Sequence, residues 1–332
     1  MVSRRAVRVS IVAIATVVAV ALLVKVGAWR SSGPPVAAPL ADVAARSSAK
    51  LDASAAVSST ASAPNLAPLA ALRAEFLVSA DLMALYDRLM ASDAPGARLY
   101  ASFARLECAM LRMNFGDGAD AWAKFNAIVG EAAADRSARV ALFERMQERC
   151  RGFGTAGTPL SAGMSALRAA LVDLGDDAYA RSLAVLTRAG VNSSRETPAA
   201  IQAAALVALE SGDPDLLAAL SSHWRFPLPD AGRGLRMDEA AFAVQGAWNM
   251  AIEALTGQVP LTVLQSQQAN CIVGRGCDAA SARTALERRL FDRPDERRRQ
   301  ILAAADALAP HIEMALRHRK PPATSVRVQS GK

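Results

Sequence analysis

The sequence predicts an all-α body behind an N-terminal membrane-directing segment, and three observations carry that expectation. From Leu66 onward the apolar residues recur at helical spacing, with no convincing run of strand-like alternation. The chain is 52% hydrophobic but only 5% aromatic, so its apolar content is largely alanine, a strong helix former whose small side chain lets helices approach closely. Gly, Pro, Asp and Ser interrupt the periodic stretches abruptly, which suits about 11–12 short antiparallel helices in an irregular, solenoid-like array of hairpins.

The first element stands apart from that body. Val9–Val24 carries no charge, and the apolar run fills residues 9–29 if Lys25 snorkels, close to the ~20 residues that span a bilayer. Arg4, Arg5 and Arg8 lie before it and no acidic residue does, so the positive-inside bias keeps the basic segment 1–8 in the cytoplasm. The expected arrangement is a single-pass signal anchor in a bacterial inner membrane, with the C-terminal domain in the periplasm. Val26-Gly27-Ala28 leaves a second route open: a signal peptide cleaved there, with release to the periplasm. Next, residues 30–65 read as a disordered linker. Ser31–Pro64 holds eleven Ala, eight Ser and four Pro, no aromatic residue and no net charge. Such a chain cannot bury a core, and its reach is roughly 30 Å.

Charge excludes one class of partner. The net +7 is concentrated at the two ends, leaving residues 66–291 slightly acidic. Such a body lacks the basic face that phosphate binding needs, so no nucleic-acid partner is expected. Only five of the 38 basic residues are Lys, a skew that records a GC-rich genome.

Within the helical domain at 66–318, Ser79 or Asp81 caps a helix whose Leu82, Leu85, Tyr86, Leu89 and Met90 form one stripe, ended by Asp93-Ala94-Pro95-Gly96. The next helix, to about Met113, has a large-residue stripe (Leu99, Phe103, Leu106, Met110, Met113) and a small-residue one (Ala101, Ala104, Cys108, Leu111). Two apolar faces imply neighbours on both sides. Helices bearing Trp122, Phe125, Ile128 and Val129, then Val140, Phe143, Met146 and Cys150, follow. Further helices are expected near 160–174, 176–189, 197–211 and 214–222. At Ser211-Gly212-Asp213-Pro214, Gly supplies a left-handed stop, Asp an N-cap and Pro the first turn of the next helix. The longest irregular stretch, 225–237, is a candidate seam or rim loop. Helices resume at 238–256, 260–269, 279–291 and 295–318, the last kinked or split at Pro310. Residues 319–332 read as a disordered tail.

Cys108, Cys150, Cys271 and Cys277 all lie beyond the export segment, where an oxidising periplasm pairs cysteines. Three connectivities are possible. The favoured one joins Cys108 to Cys150 and Cys271 to Cys277, the first closing a loop of about 43 residues worth on the order of 4 kcal/mol. Zinc fits poorly, since Cys271 and Cys277 are too widely spaced and His223, His311 and His318 are distant in sequence. A thiol oxidoreductase would need Cys-x-x-Cys on a βαβ unit. Gly152-Phe153-Gly154-Thr155-Ala156-Gly157 matches G-x-G-x-x-G but follows a helix instead of a strand, so it reads as a loop. Gly163-Met164-Ser165 lacks the closing glycine of a nucleophile elbow. No cofactor is expected. Arg297-Arg298-Arg299 and the His311/His318 pair read as solvated helix faces.

The cysteines ending paired helices, with Asn270-Cys271-Ile272-Val273-Gly274-Arg275-Gly276-Cys277-Asp278 leading into a helix, resemble a group of uncharacterised exported α-helical proteins of Gram-negative bacteria. The resemblance covers roughly 75–318 and implies a periplasmic, disulfide-containing helical fold without an assigned activity.

The functional expectation is a non-enzymatic, membrane-tethered periplasmic module that binds a protein or peptide of the cell envelope on a concave helical surface, as stacked helical hairpins commonly do. Trp224, Phe226 and Arg233, in and beside the irregular stretch, are the candidate contact residues, because aromatics and arginine dominate interface hot spots. The rival is an envelope hydrolase or lytic enzyme, which would place carboxylates of shifted pKa in a cleft. Asp173, Asp176, Asp177, Glu210 and Asp213 read instead as capping or solvated groups.

Overall fold

Twelve α-helices, two short 3₁₀ turns and no strand make up the described residues. The computed structural model describes residues 67–116, 118–129, 135–153, 176–190, 196–274, 277 and 281–319. The membrane segment 9–29, the linker 30–65, the helix expected at 160–174, Gly154–Gly157 and the tail from 320 lie outside them. No helix among the described residues is long and apolar enough to cross a membrane.

In chain order the helices are α1 (Ala67–Val78), α2 (Leu82–Met90), α3 (Ala97–Phe115), α4 (Gly118–Val129), α5 (Arg136–Arg149), α6 (Ala178–Gly190), α7 (Pro198–Ser211), α8 (Pro214–Ala219), α9 (Met237–Thr256), α10 (Leu261–Ile272), α11 (Ala282–Arg289) and α12 (Asp295–Arg317). The 3₁₀ turns are Leu220–Ser222 and Asp230–Gly232. Asp81, not Ser79, caps α2: its carboxylate accepts from the Met83 and Ala84 amides. Gly96 then opens α3 at φ +87°, where a side chain would be strained and would also strike Leu69 of α1.

Helix α3 is the axis of the first half. Leu99, Tyr100, Ala101, Ser102, Phe103 and Ala104 are buried in succession, so the helix is enclosed on every side by α1, α2, α4 and α6. The scarce aromatics gather at its C-terminal end. Phe143 of α5 stacks on Phe125 of α4 with centroids 4.4 Å apart, and Trp122 and Phe115 meet Phe143 edge-on at 5.0 and 4.9 Å. Such pairs add about 0.5–1.5 kcal/mol each beyond their buried area.

In the second half the closest partners are the long helices α9 and α12, although α10 and α11 separate them in sequence. Their buried residues include Ala243, Ala247 and Ala251 on α9 and Ala304 and Ala305 on α12, small side chains that permit close approach. Gly246 of α9 admits Leu286 of α11, whose atoms would collide with any added Cβ.

Several boundaries differ from the sequence expectation. Helix α12 runs unbroken through Pro310, correcting the expected split. Pro310 faces solvent, so the carbonyl it frees is open to water, while Ile301, Ala304, Ala305, Leu308, Ile312 and Leu316 bury the opposite face on both sides of it. The stretch 214–222 is divided, with α8 ending at Ala219 and a 3₁₀ turn finishing it. Helix α10 extends past 269 to Ile272, and α11 is shorter than 279–291, starting where the Ser281 hydroxyl accepts from the Thr284 amide.

Candidate functional site

Two disulfides join the pairs favoured from sequence, Cys108 with Cys150 and Cys271 with Cys277, and no described cysteine is free. Cys108 lies in mid-α3, not at a helix end, and Cys150 caps α5. Disulfides of this kind are the mark of an oxidising, extracytoplasmic compartment.

Beside the first disulfide lies a buried ion pair. Glu107 of α3 faces Arg149 of α5 at 3.0 Å, and Arg149 also donates to the Phe76 carbonyl at 2.9 Å while lying over the Phe76 ring. Burial pushes the Glu107 carboxyl above its ordinary value, and the Arg149 charge offsets this only in part.

A second buried cluster joins the two halves of the body. Arg73 of α1 donates to the Asp215 carboxylate at 3.2 Å and to the Val259 carbonyl, and the Leu261 amide donates to the same carboxylate. Asp213 accepts from the Tyr100 hydroxyl at 2.6 Å and from the Asp215 and Leu216 amides at 2.9 and 3.0 Å. None of the four residues is more than 5% exposed. Burial first, then the neighbouring Asp213 charge, raise the Asp215 carboxyl to about 7, against the lowering effect of Arg73 and the Leu261 amide. Burial and both carboxylates also raise the Tyr100 hydroxyl. Asp213 is therefore more than the capping group read from sequence. Arg73, Tyr100 and Asp215 were missed, because their partners lie more than a hundred residues away in the chain. The only local signal was the Asp-Pro-Asp run at 213–215.

The irregular stretch 225–237 is held from behind. Trp224, just before it, is 6% exposed and packs on Trp248 of α9, with centroids 6.3 Å apart. Phe226 is half-buried against the same Trp248, edge-on at 5.9 Å. His223 Nε2 lies 2.7 Å from the Leu186 carbonyl of α6. Gly232 sits against Ala304 of α12, Gln300 donates to the Arg233 carbonyl at 2.8 Å and Arg297 to the Gly234 carbonyl. At the foot of the segment, the buried Glu239 carboxylate accepts from the Arg236 amide, with the guanidiniums of Arg236, Arg293 and Arg297 within 4.0 Å. Facing solvent are Arg225, Leu228, Arg233 and Met237. Of the three candidate contact residues, then, Trp224 is a buried anchor, Phe226 a half-buried one, and Arg233 alone stands in solvent, paired with the exposed Asp230.

A shallow recess of about 30 Å³ opens between α9, α10 and α11, lined by Phe242, Asn249, Thr262, Ser266 and Arg289 among others, with room for about two waters. Among the described residues no group of His, Cys, Asp and Glu converges as metal ligands. His311 and His318 are exposed.

Fold and site together define an all-α domain with two disulfides, two buried ionic clusters and a loop packed from behind, and the disulfides fit an oxidising, extracytoplasmic location. Comparison with protein-family models, curated proteins and solved structures found no match for the chain.

Proposed function

We propose that the chain is a non-catalytic binding module, tethered to a bacterial inner membrane through residues 9–29, whose periplasmic body takes a protein or peptide partner on the segment 225–237. The carrying observation is the set of contacts that hold that segment from behind. Anchored by Trp224, Gly232 and the bonds from Gln300 and Arg297, it presents Arg225, Leu228, Arg233 and Met237 without the ordering cost that a floppy loop incurs on binding. Arginine, present here as Arg225 and Arg233, is also among the residue types enriched at interface hot spots. The helical-hairpin array belongs to the same reading: α2 with α3, and α6 with α7, are consecutive packed pairs. The pairing of α9 with α12 breaks strict nearest-neighbour stacking, which favours the loop over a concave array face as the contact surface. A hydrolase draws no support from the raised carboxyls, since Glu107 and Asp215 are turned inward to Arg149 and Arg73.

Photo-crosslinkers placed at Arg225 and Leu228 in the full-length protein, in cells of its own host, test the proposal. A discrete adduct with one envelope protein, absent from probes on the solvent face of α12, is the expected result. Equal labelling from both faces, or turnover of peptidoglycan or peptide by the purified protein, overturns it.

A further inference from the structure

Helix α1, the first described helix after the linker, is tied to the body through buried charge. Among the described residues Arg73 carries the only guanidinium bonded to the Asp213–Asp215 cluster, which holds two carboxylates set two residues apart. With both ionised, the sealed cluster holds one net negative charge; with one proton bound, it is neutral. An uncompensated charge in the interior is costly, and water relieves it only if a wall of the cluster opens. Among those walls α1 is the least embedded, packing chiefly on α3, whereas α8 is wedged among α6, α7, α9 and α10.

We infer that Arg73, Tyr100, Asp213 and Asp215 form a proton-operated latch, in which one proton on the Asp215 carboxyl holds α1 against the body and its loss loosens α1. This goes beyond the binding role and does not depend on it. The surrounding groups leave the charge count as stated. Tyr179, close enough to Asp213 to be raised by it, is neutral, and Asp177, half-buried, and Glu210, exposed, stand outside the sealed cluster. The carboxylates of α9 are engaged elsewhere: Asp238 with Arg293, Glu239 with Arg236, and Glu253 with the Ala282 amide. His223 is held at the Leu186 carbonyl, and α10 contributes only the Leu261 amide. With the Asp215 carboxyl raised to about 7, the folded state holds a proton that the unfolded chain has released. The latch is therefore closed at acid pH and weakens as pH rises through neutrality.

Hydrogen exchange of the full-length protein in detergent, corrected for intrinsic exchange rates, reads the latch. Between about pH 5.5 and about pH 8.5 the protection of α1 amides is expected to fall about tenfold or more, the size of a response to one proton over a unit of pKa shift, while α12 amides change far less. Asp213→Asn should flatten the α1 response to within about twofold, because asparagine caps a helix as well as aspartate and the Tyr100 hydroxyl can turn to accept from it. Constant α1 protection in the wild type, or a loss shared equally by α12, overturns the latch, as does an undiminished response in Asp213→Asn. Should that variant fail to fold, the wild-type comparison of α1 with α12 decides alone.

Discussion

Arg149 is a single side chain with three tasks: it neutralises Glu107, it donates to the Phe76 carbonyl and it covers the Phe76 ring. Removing one member of a buried ion pair strands the other, at about 3–5 kcal/mol. Arg149→Met keeps most of the volume and should cost that much near pH 8. The loss should be smaller near pH 5, and the sign follows from Glu107. Its carboxyl is raised in the folded state, so the folded chain holds a proton that the unfolded one releases, and this contribution is present at low pH and fades as pH rises. Urea titrations at the two pH values check it, and an equal loss at both would show that Glu107 does not take up the proton. Gly96 carries a different constraint, since its φ of +87° and the Leu69 side chain against it both exclude a Cβ. Gly96→Ala should cost about 2 kcal/mol or more and act on the α1–α3 contact, read as a lowered melting temperature.

The irregular stretch 225–237 shows how an element without regular structure can be as fixed as a helix. Its anchor is Trp224 on Trp248, so Trp224→Ala should cost about 3–5 kcal/mol, the usual loss for a large buried aromatic. Leu228→Ala, on the solvent side, should stay within about 0.5 kcal/mol of wild type yet weaken partner capture. Thermal melts beside the crosslinking yields separate the two effects; a large melting-temperature loss for Leu228→Ala would make that residue structural. The α7–α8 corner was the most legible element, because Gly212, Asp213 and Pro214 each impose a local conformation: φ +59°, a capping carboxylate and a fixed first turn. Helix α12 is not split at Pro310, because a proline's cost depends on which way it faces, and here it faces solvent.

For the molecule as a whole the disulfides set the scale of stability. By loop entropy, losing the bridge between Cys108 and Cys150, 42 residues apart, costs about 4 kcal/mol, and losing that between Cys271 and Cys277, six apart, about 2 kcal/mol. Cys150→Ala should therefore melt well below Cys277→Ala, and non-reducing peptide mapping of exported protein should recover both pairs and no free thiol. Topology is open to a direct test as well. An alkaline phosphatase fused after Lys332 should be active, and replacing Arg4, Arg5 and Arg8 with glutamate should weaken or invert insertion.

The sequence by itself determined the class and the punctuation: an all-α body, a 3.6-residue stripe in α2 with a cap at Ser79 or Asp81, a cap at Asp213, and four cysteines to be paired. Each of these is a local property, written within a few residues by period or by backbone preference. Only the tertiary structure decided which polar groups are buried together. Arg73 reaches Asp215 across 142 positions of the chain and Tyr100 reaches Asp213 across 113, and nothing near Arg73 or Tyr100 in the chain marks either pairing. The same holds for Trp224, an aromatic beside a loop in the sequence and a wall of the core in the fold, because burial is settled by what packs against a residue and not by its neighbours in the chain.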